Sequence, residues 1–314
     1  MLLAAICLNI ASPATADSSA GADRTGREPI TPVPGAPASD PRRLLLGEQL
    51  FNDRRLSRTD THSCAACHDL NTNGASAKMR DVAPSGELLA FNTPTIFNAS
   101  LSFRLNWEGN FRSLQEHDRH TIHNPAIMAS STDEVVAKLR ADPEMVRQFR
   151  DAYGKTPAED ILLDALAVYE RSLVTPASRF DSWLAGDGAA ITAEELSGYR
   201  SFKSLGCISC HQGVNVGGNL YQRGGIFHPL GTTEPALVRV PSLRNVAATA
   251  PYFHDGSAAT LPEAVKLMGI AQLGRTLTDG QISGIVAFLN SLTGTFRGRT
   301  IRPANAGPRG MAFP

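Results

Sequence analysis

The chain carries Cys-x-x-Cys-His twice, as Cys64-Ala65-Ala66-Cys67-His68 and as Cys207-Ile208-Ser209-Cys210-His211. At this spacing two thiols can add to the two vinyl groups of one haem while the histidine that follows ligates the iron. A zinc ribbon or a redox dithiol is the competing reading. Paired zinc motifs, however, lie about 15–20 residues apart, and a redox dithiol needs no trailing histidine. Two covalently bound haem c groups are therefore expected, attached through Cys64, Cys67, Cys207 and Cys210, with His68 and His211 as the proximal iron ligands. A chain of 314 residues is long enough for two modest domains. One haem in each is the economical arrangement.

Leu2 to Ile10 form a short apolar run followed by Ala14-Thr15-Ala16, the small-residue pattern of a cleaved export leader. The run is too short to span a bilayer, so no stable membrane insertion is expected. Removing residues 1–16 also removes Cys7, and every remaining cysteine then belongs to a haem motif. Covalent haem attachment with no cysteine left for disulfides points to the periplasm of a bacterium. Thirty basic and thirty acidic side chains cancel, which gives no ground for nucleic acid as a partner.

Residues 17–40, rich in Ser, Ala, Gly and Pro, predict a flexible lead-in, with folding starting near Pro41. Beyond it, pairs of the capping-box kind mark helix starts: Ser131 with Glu134, Thr156 with Glu159, Thr192 with Glu195, Thr260 with Glu263 and Thr278 with Gln281. Apolar residues recur at helical spacing in Leu162, Leu166, Tyr169 and Leu173, and again in Ile282, Ile285, Phe288, Leu289 and Leu292. No stretch alternates for long, so the class is mainly α with long loops, about residues 71–106 and 213–259. The expected domains are 41–178 and 179–295, followed by a loose tail over 296–314.

The distal ligands decide the chemistry, because a haem with two protein ligands passes electrons whereas one with an open position can activate a small oxidant. Met268, expected at the end of a helix over Thr260 to Met268, is the candidate on the second iron. Near the first motif Met79 is the nearest soft ligand, and nothing but proximity supports it. An open first iron is the simpler inference, with hydrogen peroxide as its natural oxidant. Splitting the O–O bond requires acid-base help. His117, His120 and His123 are the available imidazoles, although three histidines at this spacing equally describe a solvent-facing stripe.

From about Leu46 to Gly294 the chain resembles the bacterial dihaem cytochrome c peroxidase and MauG family. The resemblance rests on Leu46-Gly47-Glu48-Gln49-Leu50-Phe51, Leu56-Ser57, Asn92-Thr93-Pro94-Thr95 and Trp107-Glu108-Gly109. It continues through Pro241 to Val246, Pro251 to Gly256 and Phe288 to Gly294. It implies two cytochrome-c-like helical domains packed around a shared interface. By the same resemblance Met268 matches the distal methionine of the electron-transfer haem, and Trp107 matches a tryptophan between the two haems. Asn92, with the carbonyls of Thr249 and Pro251, matches an interfacial calcium site, whose oxygen donors suit that cation. His117 stands where the family has a distal glutamine.

Three departures from the family pattern bear on function. Its switchable distal histidine would fall at Pro84, so no activation by ligand loss is expected. Ile127 stands at the distal glutamate, and Leu205 stands where MauG has an aromatic exit residue. Trp183 is a candidate alternative exit, with packing at the hinge as the preferred reading. The resemblance is nearest to the MbnH-type MauG-like subgroup, and it implies a peroxide-dependent enzyme that oxidises a residue, such as tryptophan, on a periplasmic partner protein, with a copper-binding protein as the candidate. The alternatives are a peroxidase fed by a small cytochrome or cupredoxin, and a dihaem electron carrier without catalysis.

Overall fold

A computed structural model of the chain describes residues 24–231 and 236–305. The export leader proposed over residues 1–16 lies outside them. The described residues form ten α-helices: α1 (Pro41–Asn52), α2 (Cys64–Cys67), α3 (Leu114–His123), α4 (Thr132–Arg140), α5 (Pro143–Tyr153), α6 (Glu159–Ser172), α7 (Arg179–Leu184), α8 (Ala193–Ser204), α9 (Leu261–Leu273) and α10 (Asp279–Ser291). Two antiparallel ribbons complete it, β1 (Tyr221–Arg223) with β2 (Leu237–Arg239) and β3 (Thr295–Phe296) with β4 (Arg299–Thr300). The mainly helical expectation holds.

Most helix starts follow from local chemistry. Thr192 and Thr278 close full capping boxes with Glu195 and Gln281. Ser131 and Thr260 accept from the amides of Glu134 and Glu263. The Thr156–Glu159 pair does not cap: α6 starts at Glu159 behind Ala158, without a side-chain bond. Pro157 disfavours helical geometry at the residue before it, so the helix begins too late for Thr156 to reach. The helix bearing Met268 runs on to Leu273, where Gly274 closes it in the left-handed region at φ 61°, so Met268 is internal to α9 rather than at its end.

Two cores form on either side of the segment between α6 and α7. The first gathers Leu46, Leu50 and Phe51 of α1 with Phe149 of α5 and Leu162, Leu166 and Tyr169 of α6. The second gathers Phe180 and Trp183 of α7, Tyr199 and Phe202 of α8 and Phe288 and Leu289 of α10. Helices α8 and α10 cross at Gly198, where a Cβ would lie 1.8 Å from the carbonyl oxygen of Gly284. Gly198→Ala therefore forces the two helices apart. It should destabilise the protein by about 1–3 kcal/mol, read as a lower chemical-denaturation midpoint.

Two expectations of looseness are overturned. Ahead of Pro41, Ile30 is fully buried and Val33 nearly so. The carbonyl of Pro29 accepts from Gly213 N at 2.8 Å, and Glu28 receives Tyr199 Oη and Lys203 Nζ. The lead-in is short of apolar residues, but Ile30 reaches the second core, so its described part is a strap over that core. At the other end Phe296 and Ile301 are buried in the first core, with Phe296 against Phe97 at 5.0 Å. The β3–β4 hairpin thus returns the chain from the second half to the first.

The two halves are joined by a symmetric exchange of asparagines. Asn73, just before the carbonyl that binds His68, donates to Ala248 O at 2.7 Å. Asn215, just before the carbonyl that binds His211, donates to Asn98 O at 3.0 Å. Asn98 and Asn245 both sit in the left-handed region at φ 62° and 60°, and both donate to Thr175 Oγ1, at 2.7 and 2.8 Å. Asn and Asp tolerate that geometry better than other residues with a side chain.

Candidate dihaem site

Each CxxCH segment is a single helical turn. His68 N donates to Cys64 O and His211 N to Cys207 O, both at 3.0 Å, which brings cysteines and histidine to one side of each turn. The four motif cysteines are half-buried, and none of them is in a disulfide. Each imidazole is held from behind: His68 Nδ1 lies 3.0 Å from Gly74 O and His211 Nδ1 lies 3.2 Å from Val216 O. A donor bond from Nδ1 leaves Nε2 with its lone pair for a metal. The same carbonyls also accept from Ile96 N and Leu243 N. Enclosure by protein lowers both histidine pKa values, that of His211 to about 4, so each ring is the neutral form that ligation needs. Gly217, at φ 134°, lets the loop under His211 pass Pro241, since a Cβ there would lie 2.1 Å from Pro241 O. This donor set fits covalently attached haem at both turns.

Around the first turn, α3 presents three histidines with different surroundings. His123 Nε2 accepts from Thr132 N at 3.0 Å and so caps α4. His120 packs on Phe111 with ring centres 4.8 Å apart and lines an open cleft of about 520 Å³ with Arg104, Arg112 and Arg119. His117 meets the same ring edge-on at 5.5 Å. Its Nδ1 lies 3.8 Å from Asp118 Oδ1. Behind it Asp118 and Glu170 form a buried carboxyl pair, and burial raises the pKa of both. Met79, more than half exposed, packs by its backbone against Gly256.

At the seam between the halves, Trp107 is buried and its Nε1 donates to Asn92 O at 2.7 Å. Its own carbonyl accepts from Arg239 N at 2.8 Å, and its indole meets His254 edge-on at 6.3 Å. Asn92 N in turn donates to His254 O at 2.8 Å. The side-chain amide of Asn92 gives its hydrogens to Lys78 O and Met79 O, both at 3.1 Å, leaving Oδ1 available as a ligand. The asparagine exchange brings the loop carrying Thr249 and Pro251 to the same seam. Among the described residues no three His, Cys, Asp or Glu side chains gather to hold a metal ion. A cation at the seam would rest on neutral oxygens. Met268 is half-buried on α9. Trp183, the candidate exit, is buried, stacked on Phe180 at 5.2 Å and covered by Arg24.

Sequence reasoning missed the Asp118–Glu170 pair, Arg244 and the internal repeat. The repeat was readable: Pro94-Thr95-Ile96-Phe97-Asn98 and Pro241-Ser242-Leu243-Arg244-Asn245 each follow a CxxCH motif and end in the left-handed asparagine.

Two helical halves, each built on a CxxCH turn with a carbonyl-locked histidine, define a dihaem c-type cytochrome. A family model described as di-haem cytochrome c peroxidase matches residues 41–189, and one described as cytochrome c matches residues 196–293. The chain is 39% identical to a cytochrome c551 peroxidase of Nitrosomonas europaea, over 85% of this chain and 84% of the relative. It is 34% identical to the methylamine utilization protein MauG of Methylorubrum extorquens, over 81% and 77%. A solved MauG-like protein associated with microbial copper homeostasis shares the fold, with a TM-score of 0.71 at 24% identity over 84% of this chain and 93% of that one. The chain belongs to the dihaem cytochrome c peroxidase and MauG family, and is an oxidoreductase that carries covalently bound haem c. No described helix is long and apolar enough to cross a membrane.

Proposed function

We propose that the protein is an exported, periplasmic peroxidase that reduces hydrogen peroxide at the haem of His68 and draws electrons from a small redox protein through the haem of His211 and Met268. The observation that carries this reading is the fixed position of Trp107 at the seam, tied to one half through Asn92 and to the other through Arg239. Bound haem c supplies the iron that takes up the oxidising equivalents of peroxide and passes electrons. The protein's own residues do the rest. His117 moves a proton from the near oxygen of peroxide to the far one, which leaves as water. Trp107 offers an easily oxidised ring between the two centres. The exposure of Met79 supports an open first iron. A calcium ion held by Asn92 Oδ1 and the carbonyls of Thr249 and Pro251 would pin the seam on which Trp107 rests.

A second reading, oxidation of a residue on a partner protein, is favoured by the 34% identity with MauG. It ranks behind the first because a hole leaving the second haem finds Leu205 in place of an aromatic residue, and Trp183 is buried rather than presented. The peroxidase reading expects a high-spin component in the resting ferric holoprotein and many turnovers of peroxide with a reduced small cytochrome c. Added oxygen on a partner's tryptophan, without sustained turnover, would establish the second reading instead. Two low-spin centres and no peroxide reaction would leave only an electron carrier.

A further inference from the structure

We infer that Asp118 and Glu170 are positioning residues for His117, a buried carboxyl pair that shares one proton and holds the imidazole for proton transfer. The inference rests on the role proposed for His117 and goes beyond it. Asp118 on α3 and Glu170 on α6 face each other across the helix pair, with only 7% and 6% of their surfaces exposed. Each carboxyl acts on the protonation of the other. Two carboxylates so placed repel, so the pair keeps a proton and the acid of one donates to the carboxylate of the other. One oxygen of Asp118, Oδ1, faces His117 Nδ1 at 3.8 Å, while Oδ2 is buried without a hydrogen-bond partner in the structure. A buried carboxyl oxygen needs a partner, and a proton held between the two carboxyls would supply it. Catalytic contacts of this length commonly tighten when substrate binds.

The groups that act on the pair are few. His117 comes from α3, Arg171 from α6 and the haem-attachment residue Cys64 from α2. Arg171 is shared with Asp164. The other helices against α6 direct their charges away, Glu48 of α1 to Arg297 and Lys138 of α4 to Asp60 and Glu134. The pair therefore lies between the first CxxCH turn and the distal helix, with His117 as its nearest basic neighbour.

The proton balance is simple. Asp118 accepts from Nδ1–H, which fixes the tautomer whose Nε2 is free. Nε2 takes the proton of the near peroxide oxygen, the imidazolium is stabilised by the pair's single negative charge, and the proton then passes to the far oxygen as the O–O bond breaks and water leaves, the two electrons for that cleavage being those that bound haem c would supply. The pair itself ends with the proton it began with. Ile127, which the resemblance sets at the family's distal glutamate, supplies no carboxyl, and the pair offers one beside His117.

The test uses haem-loaded protein. Infrared difference spectra should show a protonated buried carboxyl that titrates above the ordinary carboxylate range and disappears in Glu170→Gln. Asp118→Asn should lower the peroxide rate about 10- to 100-fold, without changing the KM for the electron donor. Glu170→Gln, whose amide can still donate to Asp118 but cannot ionise, should lose the alkaline fall that appears when the wild-type pair ionises fully and its carboxylates separate. Absence of the carboxyl band in the wild type, a wild-type rate and pH profile in Asp118→Asn, or an unchanged alkaline fall in Glu170→Gln would each overturn the inference. Should Asp118→Asn fail to fold, Glu170→Gln and the infrared band decide. A wild-type protein that consumes no peroxide would remove the proposed function, and the band would still decide whether the pair holds its proton.

Discussion

Replacing Arg244 by methionine is expected to destabilise the protein by about 3–5 kcal/mol, a fall in the thermal midpoint on the order of 10 °C. Only 1% of the Arg244 side chain is exposed, and it is one of the largest fully buried groups in the chain. Its Nη1 donates to Asp181 Oδ1 at 2.8 Å, its Nη2 to Thr31 O at 2.7 Å and its Nε to Val214 O at 2.8 Å. One guanidinium thus ties together the N-terminal strap, the start of α7 and the loop beneath His211. Losing it strands the buried Asp181 carboxylate and frees two carbonyls at once. Such a loss costs more than the net worth of the ion pair, because the remaining charge stays out of water. Adding Asp181→Leu to Arg244→Met should recover part of the loss, a coupling that a double-mutant cycle measures. A midpoint within 2 °C of wild type for Arg244→Met would show that the strap and the loop stand without it.

Arg244 also marks where the sequence stops being legible. The CxxCH turns, the helical periodicity of α6 and α10 and most capping pairs could be read because each is a local pattern whose physics closes within a few residues. The packing of Ile30 and Ile301 could not. A single apolar residue in a Gly- and Pro-rich stretch carries no period, and its burial depends on a core assembled from helices far away in the chain. The Asp118–Glu170 pair was hidden for the same reason, since α3 and α6 approach only after the fold is made. Asp118 in Glu116-His117-Asp118-Arg119 reads as one more charge on a solvated helix. Among His117, His120 and His123 the sequence offered a stripe, and the structure gave each ring a different task through its neighbours. His123 caps α4, His120 packs on Phe111, and His117 meets the buried carboxyls. Left-handed Asn98 and Asn245 were legible only as a repeat, because one asparagine in a loop says little and two in matching positions after matching motifs say much.

His117→Ala is expected to lower the rate of peroxide consumption by about 10²–10⁴-fold, the range that a positioned general acid-base supplies. The size follows from what is missing around it. With His120 on Phe111 and His123 capping α4, no second imidazole on α3 is held beside Asp118. Alanine preserves the helix, since α3 is capped by Ser113 and Glu116, a turn ahead of the substitution. Haem content and the high-spin fraction of the resting protein should therefore match wild type, which separates a lost proton carrier from a damaged pocket. His117→Gln should recover little of the rate. An amide donates a hydrogen bond but cannot take up and return the proton. If His117→Ala consumes peroxide within threefold of wild type at equal haem loading, proton transfer is not the role of this imidazole. The buried pair behind it would then be positioning a ring that the reaction does not use.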